Sequence, residues 1–443
     1  MLTEKKENIY TNLINCLIAL IPLSLIIGNL ATNINIVLIC LMGLATYKFQ
    51  IFTISQKKYQ LLIYAFFLYL ILITLFVNLP KLDDNLLYKE HIIKSFSFLR
   101  FLLLFLIVNK LFEKNHFNIN LFFISCAFFS FIVAIDILIQ VKFGQNLLGF
   151  YITANRPSGF FGSEHIAGGF IQKFSLFFVF FLLFYLKRGK IGIYILLLFF
   201  LFFASILLTS NKMPTVLYLF GVLIFFILEK KFKEIFFLFV LVSVIIFSIL
   251  KYPPYPRANV AIKLFYTSAI ETATRLPKLF YADSYSKEQI DWEEIYKMEQ
   301  PEYMSKYTLI FNSAVQVWKT NKFFGSGLKS FKLNCRYAKH QSCSTHPHNY
   351  IIEILIDTGI VGFTLIYSIF ILSILNFLNF YFYNLNSNSR FLSLPFCLII
   401  FLEFFPIRSS GSFFTTNNST VIFLMLAVLI NVQCLKFYEK KLQ

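Results

Sequence analysis

"HPHNYIIEILIDTGIVGF" spans His346 to Phe363. Past its first four residues the chain turns apolar and stays so to about residue 379. That is longer than the ~20 apolar residues a membrane-spanning helix needs. The run nevertheless carries Glu353, Asp357, Gly359 and Gly362, and it is entered through two histidines and an asparagine. Either these are ordinary boundary residues or a reaction takes place at that surface.

Composition extends the membrane reading to the whole chain. Of 443 residues, 58% are hydrophobic and 14% charged, against roughly 25% charged in soluble domains. Fifty-nine Phe exceed what one soluble core buries. The net charge of +18 is no sign of nucleic-acid binding. Its basic residues cluster between apolar runs, as the positive-inside rule expects, with a secondary attraction to anionic membrane lipids.

Twelve apolar spans are predicted, at 11–30, 33–47, 61–79, 97–112, 119–141, 165–186, 190–208, 213–229, 234–250, 349–379, 390–407 and 419–436. The first lacks a cleavage-site pattern and reads as a retained helix. With the N-terminus in the cytoplasm, every inside loop carries basic residues, among them Lys57 and Lys58, Lys187 and Arg188, and Lys230 and Lys231. The expectation is an all-α integral membrane protein with both termini inside. Its parts are helices one to nine (1–250), a large, mostly helical outer loop (251–348) and helices ten to twelve (349–443).

Within that loop, 258–280 is predicted as an amphipathic interfacial helix, followed by an acidic stretch from Asp283 to Glu302. Tyr303, Tyr307, Phe311, Ala314 and Trp318 recur at helical spacing, and "FFGSGLKSF" (323–331) ends that helix with glycines. Cys335 and Cys343 share the loop and are a candidate disulfide if it lies in an oxidising compartment. Without further ligands, the pair is a poor zinc site.

Cations gather at the outer face: Arg156 in "RPSGFFGSEHIAGG" (156–169), Lys212 in "TSNKMP" (209–214), Arg275, Lys306, Lys329 and Arg336 in the loop, and Arg408 in "PIRSSGS" (406–412). One-sided cations suit an anionic, lipid-borne substrate, although Lys329, Arg336 and Arg408 each also read as snorkelling side chains. Asp136 and Glu403 lie inside spans, where ionisable groups are functional or are satisfied by interhelical hydrogen bonds. Glu353 and Asp357 read as N-terminal helix charges, and Gly359 and Gly362 as close-packing glycines.

His348-Asn349, nine residues, Gly359, two residues and Gly362 resemble the H-[N/S/Q]-x9-G-x-x-G signature of the O-antigen ligase and polymerase superfamily. Arg156 stands where that family has R-x-x-G, and "FFGSGLKSF" resembles its G-x-G segment. Lys212 and Lys306 stand near two family arginines, with Arg275 a possible substitute for the second. The resemblance implies a GT-C-like membrane glycosyltransferase at the periplasmic face of the bacterial inner membrane. Its donor would be a glycan on undecaprenyl diphosphate and its acceptor lipid A–core. The reaction expected is an inverting one without cofactors, and since no D-x-D pair or acidic cluster near the motif calls for a divalent metal, none is expected. Arg156 would hold the diphosphate with Lys212 and either Arg275 or Lys306. His348 would be the general base, with His346 as the alternative, and Asn349 would fix the local backbone or cap the helix.

Chain length, span count and one dominant outer loop favour a ligase over a polymerase or a protein O-oligosaccharyltransferase. A lipid-linked glycan flippase would be expected to show internal repeats and a midplane site.

Overall fold

The computed structural model describes residues 2–53, 57–81, 86–153, 156–185, 193–229, 232–252, 306–335, 343–383, 387–406 and 408–431. Among them the chain is helical, with no strand beyond two isolated bridges in the 145–156 loop. The helices are α1 (Leu2–Ala19), α2 (Ile21–Ile27), α3 (Asn29–Tyr47), α4 (Lys57–Asn78), α5 (Leu86–Ser97), α6 (Leu99–Glu113), α7 (Ile119–Phe143) and α8 (Ala167–Tyr185). Then come α9 (Ile193–Leu208), α10 (Lys212–Leu228), α11 (Phe232–Lys251), α12 (Lys306–Thr320), α13 (Phe331–Asn334), α14 (Tyr350–Tyr383), α15 (Ser387–Glu403) and α16 (Thr416–Ile430). The interfacial helix expected at 258–280, the acidic stretch, Arg275 and Arg336 lie outside the described residues.

An apolar helix falls on each expected span. Among the described residues, five stretches are long and apolar enough to cross a membrane: Asn29–Phe52, Lys58–Asn78, Leu87–Glu113, Ile119–Phe143 and Tyr350–Tyr383, and the apolar helices on the later spans other than the last of these are shorter. The pair Ile9–Ala19 and Ile21–Ile27, bent by 46°, makes a sixth if it is one span. Pro22 at the start of α2 accounts for the bend, because it lacks the N–H that a continuous helix would use.

The chain forms two compact units: Met1–Phe131 with Lys173–Ile195 and Leu309–Gln443, and Ile132–Gln172 with Leu196–Thr308. In the first, α14 packs on α4, and α6 on α16. Phenylalanine fills the seams: Phe67, Phe98, Phe101, Phe414 and Phe423 meet ring to ring at centroid distances of 4.9 to 6.2 Å. The buried face of α12 is Ile310, Ala314 and Val317, set against Phe331, Cys335 and Ile356. It is turned slightly from the expected Phe311–Ala314–Trp318 stripe, because aliphatic Ile310 and Val317 take the centre and leave Phe311 half-buried. Cys335 and Cys343 are joined by a disulfide.

In the second unit, the end of α7 organises the loop that follows it. The buried Asp136 carboxylate accepts the Leu147 N–H (2.9 Å) and the Asn146 amide (3.2 Å). Gln140 accepts the N–H groups of Ser158 (2.9 Å) and Gly159 (2.8 Å). Asp136 is thus satisfied by its own loop rather than across a helix pair.

The central feature of the first unit is a break in α14. Gly359 has φ +63° and ψ −171°, which is not helical. Two helical hydrogen bonds are thereby opened, those from Ile360 N–H to the Ile356 carbonyl and from Val361 N–H to the Asp357 carbonyl. All four groups find new partners in the 322–327 loop. Ser326 N–H donates to Ile356 O and Gly327 N–H to Asp357 O, both at 2.9 Å. Ile360 N–H donates to Lys322 O (2.9 Å) and Val361 N–H to Phe323 O (3.2 Å). An unsatisfied backbone group away from water is costly enough that such a break requires a partner loop.

The approach leaves no room for side chains. A Cβ on Gly325 would sit 2.5 Å from the Gly359 nitrogen, and one on Gly359 would collide with the Phe323 backbone. Gly325 and Gly327 are themselves at φ +82° and +83°. Helix α4 supports the loop from below, with Tyr69 Oη donating to Phe324 O (2.8 Å) and Leu328 N–H donating to Thr74 Oγ1 (3.0 Å). Gly359→Ala is therefore expected to undock the loop. Hydrogen exchange should show faster exchange in peptides covering 322–330 and 356–361, with slow exchange retained in α6 and α16.

Candidate functional site

The glycine loop ends on Asp357. This fully buried carboxylate accepts Lys329 N–H at 2.7 Å, Ser330 N–H at 3.1 Å and Ser330 Oγ–H at 2.9 Å. It is a loop anchor more than a helix-end charge. The anchor holds Lys329 at φ +59°, a conformation uncommon for a side-chain-bearing residue.

The HPHN turn is fixed from the other side. Asn349 Oδ1 accepts the Ile352 N–H (3.1 Å) and so caps α14. Its Nδ2 donates to the carbonyls of Pro406 (2.8 Å) and Arg408 (3.1 Å). Ser410 N–H donates to His348 O at 2.7 Å. One turn into the helix, buried Glu353 accepts Ser412 Oγ–H (2.5 Å) and Phe413 N–H (2.6 Å). The 406–413 turn is thus laced through five of its residues to His348, Asn349 and Glu353 at the start of α14. His348 sits in this frame at φ +58°. Its Nε2 is 3.3 Å from Ser344 Oγ, and its ring centroid is 4.1 Å from that of His346.

The turn has its own keystone. Arg408 is buried and pairs with Glu403 at 2.6 Å, while Lys173 approaches the same carboxylate at 3.3 Å and Tyr350 Oη donates to it at 3.2 Å. The Arg408 guanidinium also lies over the Tyr350 ring at 5.6 Å. Arg408 is therefore an internal ion-pair partner, not the snorkelling side chain its position suggests. Glu403 is satisfied across helices, as one of the two readings of it allows.

His346 interacts electrostatically with both His348 and Lys329. Burial first, then the His348 ring and the Lys329 ammonium, push the His346 pKa from 6.5 down to about 4. The Lys329 pKa is held below its ordinary value by burial and next by the Lys94 ammonium, with Arg100 adding to the effect. Sequence reading did not single out Lys94 and Arg100. Both belong to the α5–α6 stretch, whose first half is polar enough to be passed over as a connection.

The other expected residues are placed as follows. Arg156 is exposed in the α7–α8 loop of the second unit, where its guanidinium, after burial, lowers the pKa of His165. Lys212 opens α10 in the same unit. Lys306 opens α12, and its side chain lies outside what the structure describes. His346, His348 and Asn349 share one turn, Lys329 lies within electrostatic range of His346, and Arg156 and Lys212 belong to the other unit. Among the described residues, no three His, Cys, Asp or Glu side chains cluster as metal ligands.

Two outcomes are expected. Glu403→Ala leaves Arg408 and Lys173 buried without their anion. It should cost about 3–5 kcal/mol, read as a large drop in the melting temperature of the solubilised protein. His346 should stay neutral in the folded state down to about pH 4, while the unfolded chain binds its proton near pH 6.5. Between these values the unfolded state holds more protons, so stability falls as pH drops through that window. His346→Gln should flatten that slope, and nitrogen NMR of the wild type should show a neutral imidazole at pH 5.5.

No curated protein matches the chain. Residues 197–367 match the family model described as O-antigen ligase. The matched segment holds the glycine loop, the HPHN turn and the broken start of α14, and it places this part of the chain in the O-antigen ligase/polymerase superfamily.

Proposed function

We propose that the protein is an O-antigen ligase-type glycosyltransferase of the bacterial inner membrane. It moves a glycan from undecaprenyl diphosphate to lipid A–core at the periplasmic face, with both termini in the cytoplasm. One observation carries the reading. The backbone exchange at Gly359 and the lacing of the 406–413 turn hold the His348 backbone in a fixed frame, with its ring against that of His346, which in turn feels the Lys329 ammonium. A base in a fixed frame with a cation in electrostatic range of the same turn suits a reaction that takes a proton from one substrate and leaves negative charge on another.

The chemistry is a single displacement with inversion. The acceptor hydroxyl oxygen attacks the anomeric carbon, the bond from that carbon to the diphosphate oxygen breaks, and the diphosphate leaves with the electron pair. The hydroxyl proton passes to His348. His346, held near pKa 4, is a weak base, which favours His348 for this role. Lys329 contributes positive charge for the anionic donor. On the resemblance, Arg156 and Lys212 are assigned to the donor diphosphate, with Arg275 or Lys306. The cations carry the phosphate charge, and the scheme assigns no role to a metal or cofactor.

A ligase is preferred to a polymerase because the sequence has one dominant outer loop. A deletion strain examined by lipopolysaccharide gel tests this. Loss of the whole ladder, with complete polymer retained on the carrier, is expected. A core bearing a single repeat unit would mean polymerase instead.

A further inference from the structure

The first unit contains a cavity of about 330 Å³ that the chemistry above does not use. It lies where the end of α4, the start of α5, the end of α12 and the glycine loop meet. Its polar lining includes Asn78, Tyr88, Asn321, Ser326, Ser330 and Asn334. The volume is at the lower end of the ~300–1,000 Å³ typical of ligand pockets. It suits one or two sugar rings.

The lining has a distinct chemistry. Among the described residues, no charged side chain lines it, and that lining is not one built for phosphate, which calls for Arg or Lys. Carboxamides and hydroxyls both donate and accept, as the hydroxyls of a sugar require. Two of these groups are already oriented. Asn78 Nδ2 donates to Thr74 O at 2.7 Å, and Asn321 Nδ2 donates to Gly325 O. Their donor sides are held by backbone, which leaves the carboxamide oxygens as fixed acceptors. Ser330 Oγ is likewise held by Asp357 (2.9 Å).

Position adds to this. Ser330 follows Lys329 directly, and both are pinned by the same carboxylate. A neutral hydrogen-bonding cavity and a cationic residue are therefore carried at adjacent positions of one short loop. A glycosyl diphosphate has that same sequence of groups: charge at the phosphate, then hydroxyl-bearing rings. An acceptor oligosaccharide ending in sugar rings meets the neutral part equally well.

We propose that this cavity is a sugar subsite, taking the one or two rings nearest the bond that reacts. The inference rests on the glycan-transfer reading. The test uses the purified full chain with its native lipid-linked glycan as donor and lipid A–core as acceptor, and measures kcat and KM for each. Asn334→Leu fills the cavity from α13. Asn78→Leu removes a fixed acceptor from α4 and serves if the first variant does not fold. A buried hydrogen bond is worth about tenfold in binding, so KM should rise about tenfold for one substrate while kcat stays within about threefold. A rise for the donor assigns the subsite to the donor glycan, and a rise for the acceptor assigns it to the core sugars. Unchanged KM for both, or a loss confined to kcat, overturns the subsite. Absence of transfer by the wild type, in contrast, overturns the glycosyltransferase reading beneath it.

Discussion

Two helical hydrogen bonds given up at Gly359, and four taken from the glycine loop in their place, fix most of what surrounds the candidate site. The exchange must be complete, because each open group would otherwise stay unsatisfied in a poorly solvated place. It requires backbone-to-backbone contact, and so glycine at 325 and 359. It also requires the loop to stop where Asp357 can take the amides of Lys329 and Ser330. Lys329 and the polar cavity both inherit their positions from that stop.

The stretch from Tyr350 to Thr358 then acts as a short rod docked at both ends. One end meets the glycine loop, and the other meets the 406–413 turn through Asn349 and Glu353. At a rise of ~1.5 Å per residue, nine intervening residues hold the ends ~14 Å apart. One residue more or fewer would rotate the histidine turn by ~100° relative to the break. This gives a physical reason for the fixed interval between His348-Asn349 and Gly359. The Glu403–Arg408 pair supports the far end. A buried pair of this kind adds little net stability over an apolar substitute, but it is costly to break, so it fixes an arrangement more than it strengthens the fold.

Much of this frame was legible in the sequence, but not its wiring. Apolar run length located the membrane-type helices, although α5 was passed over, and the glycine segment begins just past the end of α12 at Thr320. The histidine–glycine spacing marked the right stretch. Glu353 and Asp357 were readable as acids near a helix start, and their actual partners, Phe413 and Ser330, lie 60 and 27 residues away. Spacing along a chain carries no information about such pairings. Gly359 read as a packing residue because a broken helix and a closely packed one ask for the same side chain. Gly362 fits that packing reading better, since a Cβ there would lie 3.1 Å from the Tyr69 ring of α4. Arg408 looked like a surface cation because its partner sits at the end of the preceding apolar helix. An acid at the close of an apolar run, five residues before an arginine, was the available signal.

The most direct measurement is single-turnover transfer by purified wild type and His348→Ala, with hydrogen exchange followed across 322–330 and 350–361 in both. Loss of transfer by about a hundredfold or more, within the range that general-base removal produces, is expected, with exchange protection unchanged. Full transfer by the variant in an intact frame would contradict His348 as the base.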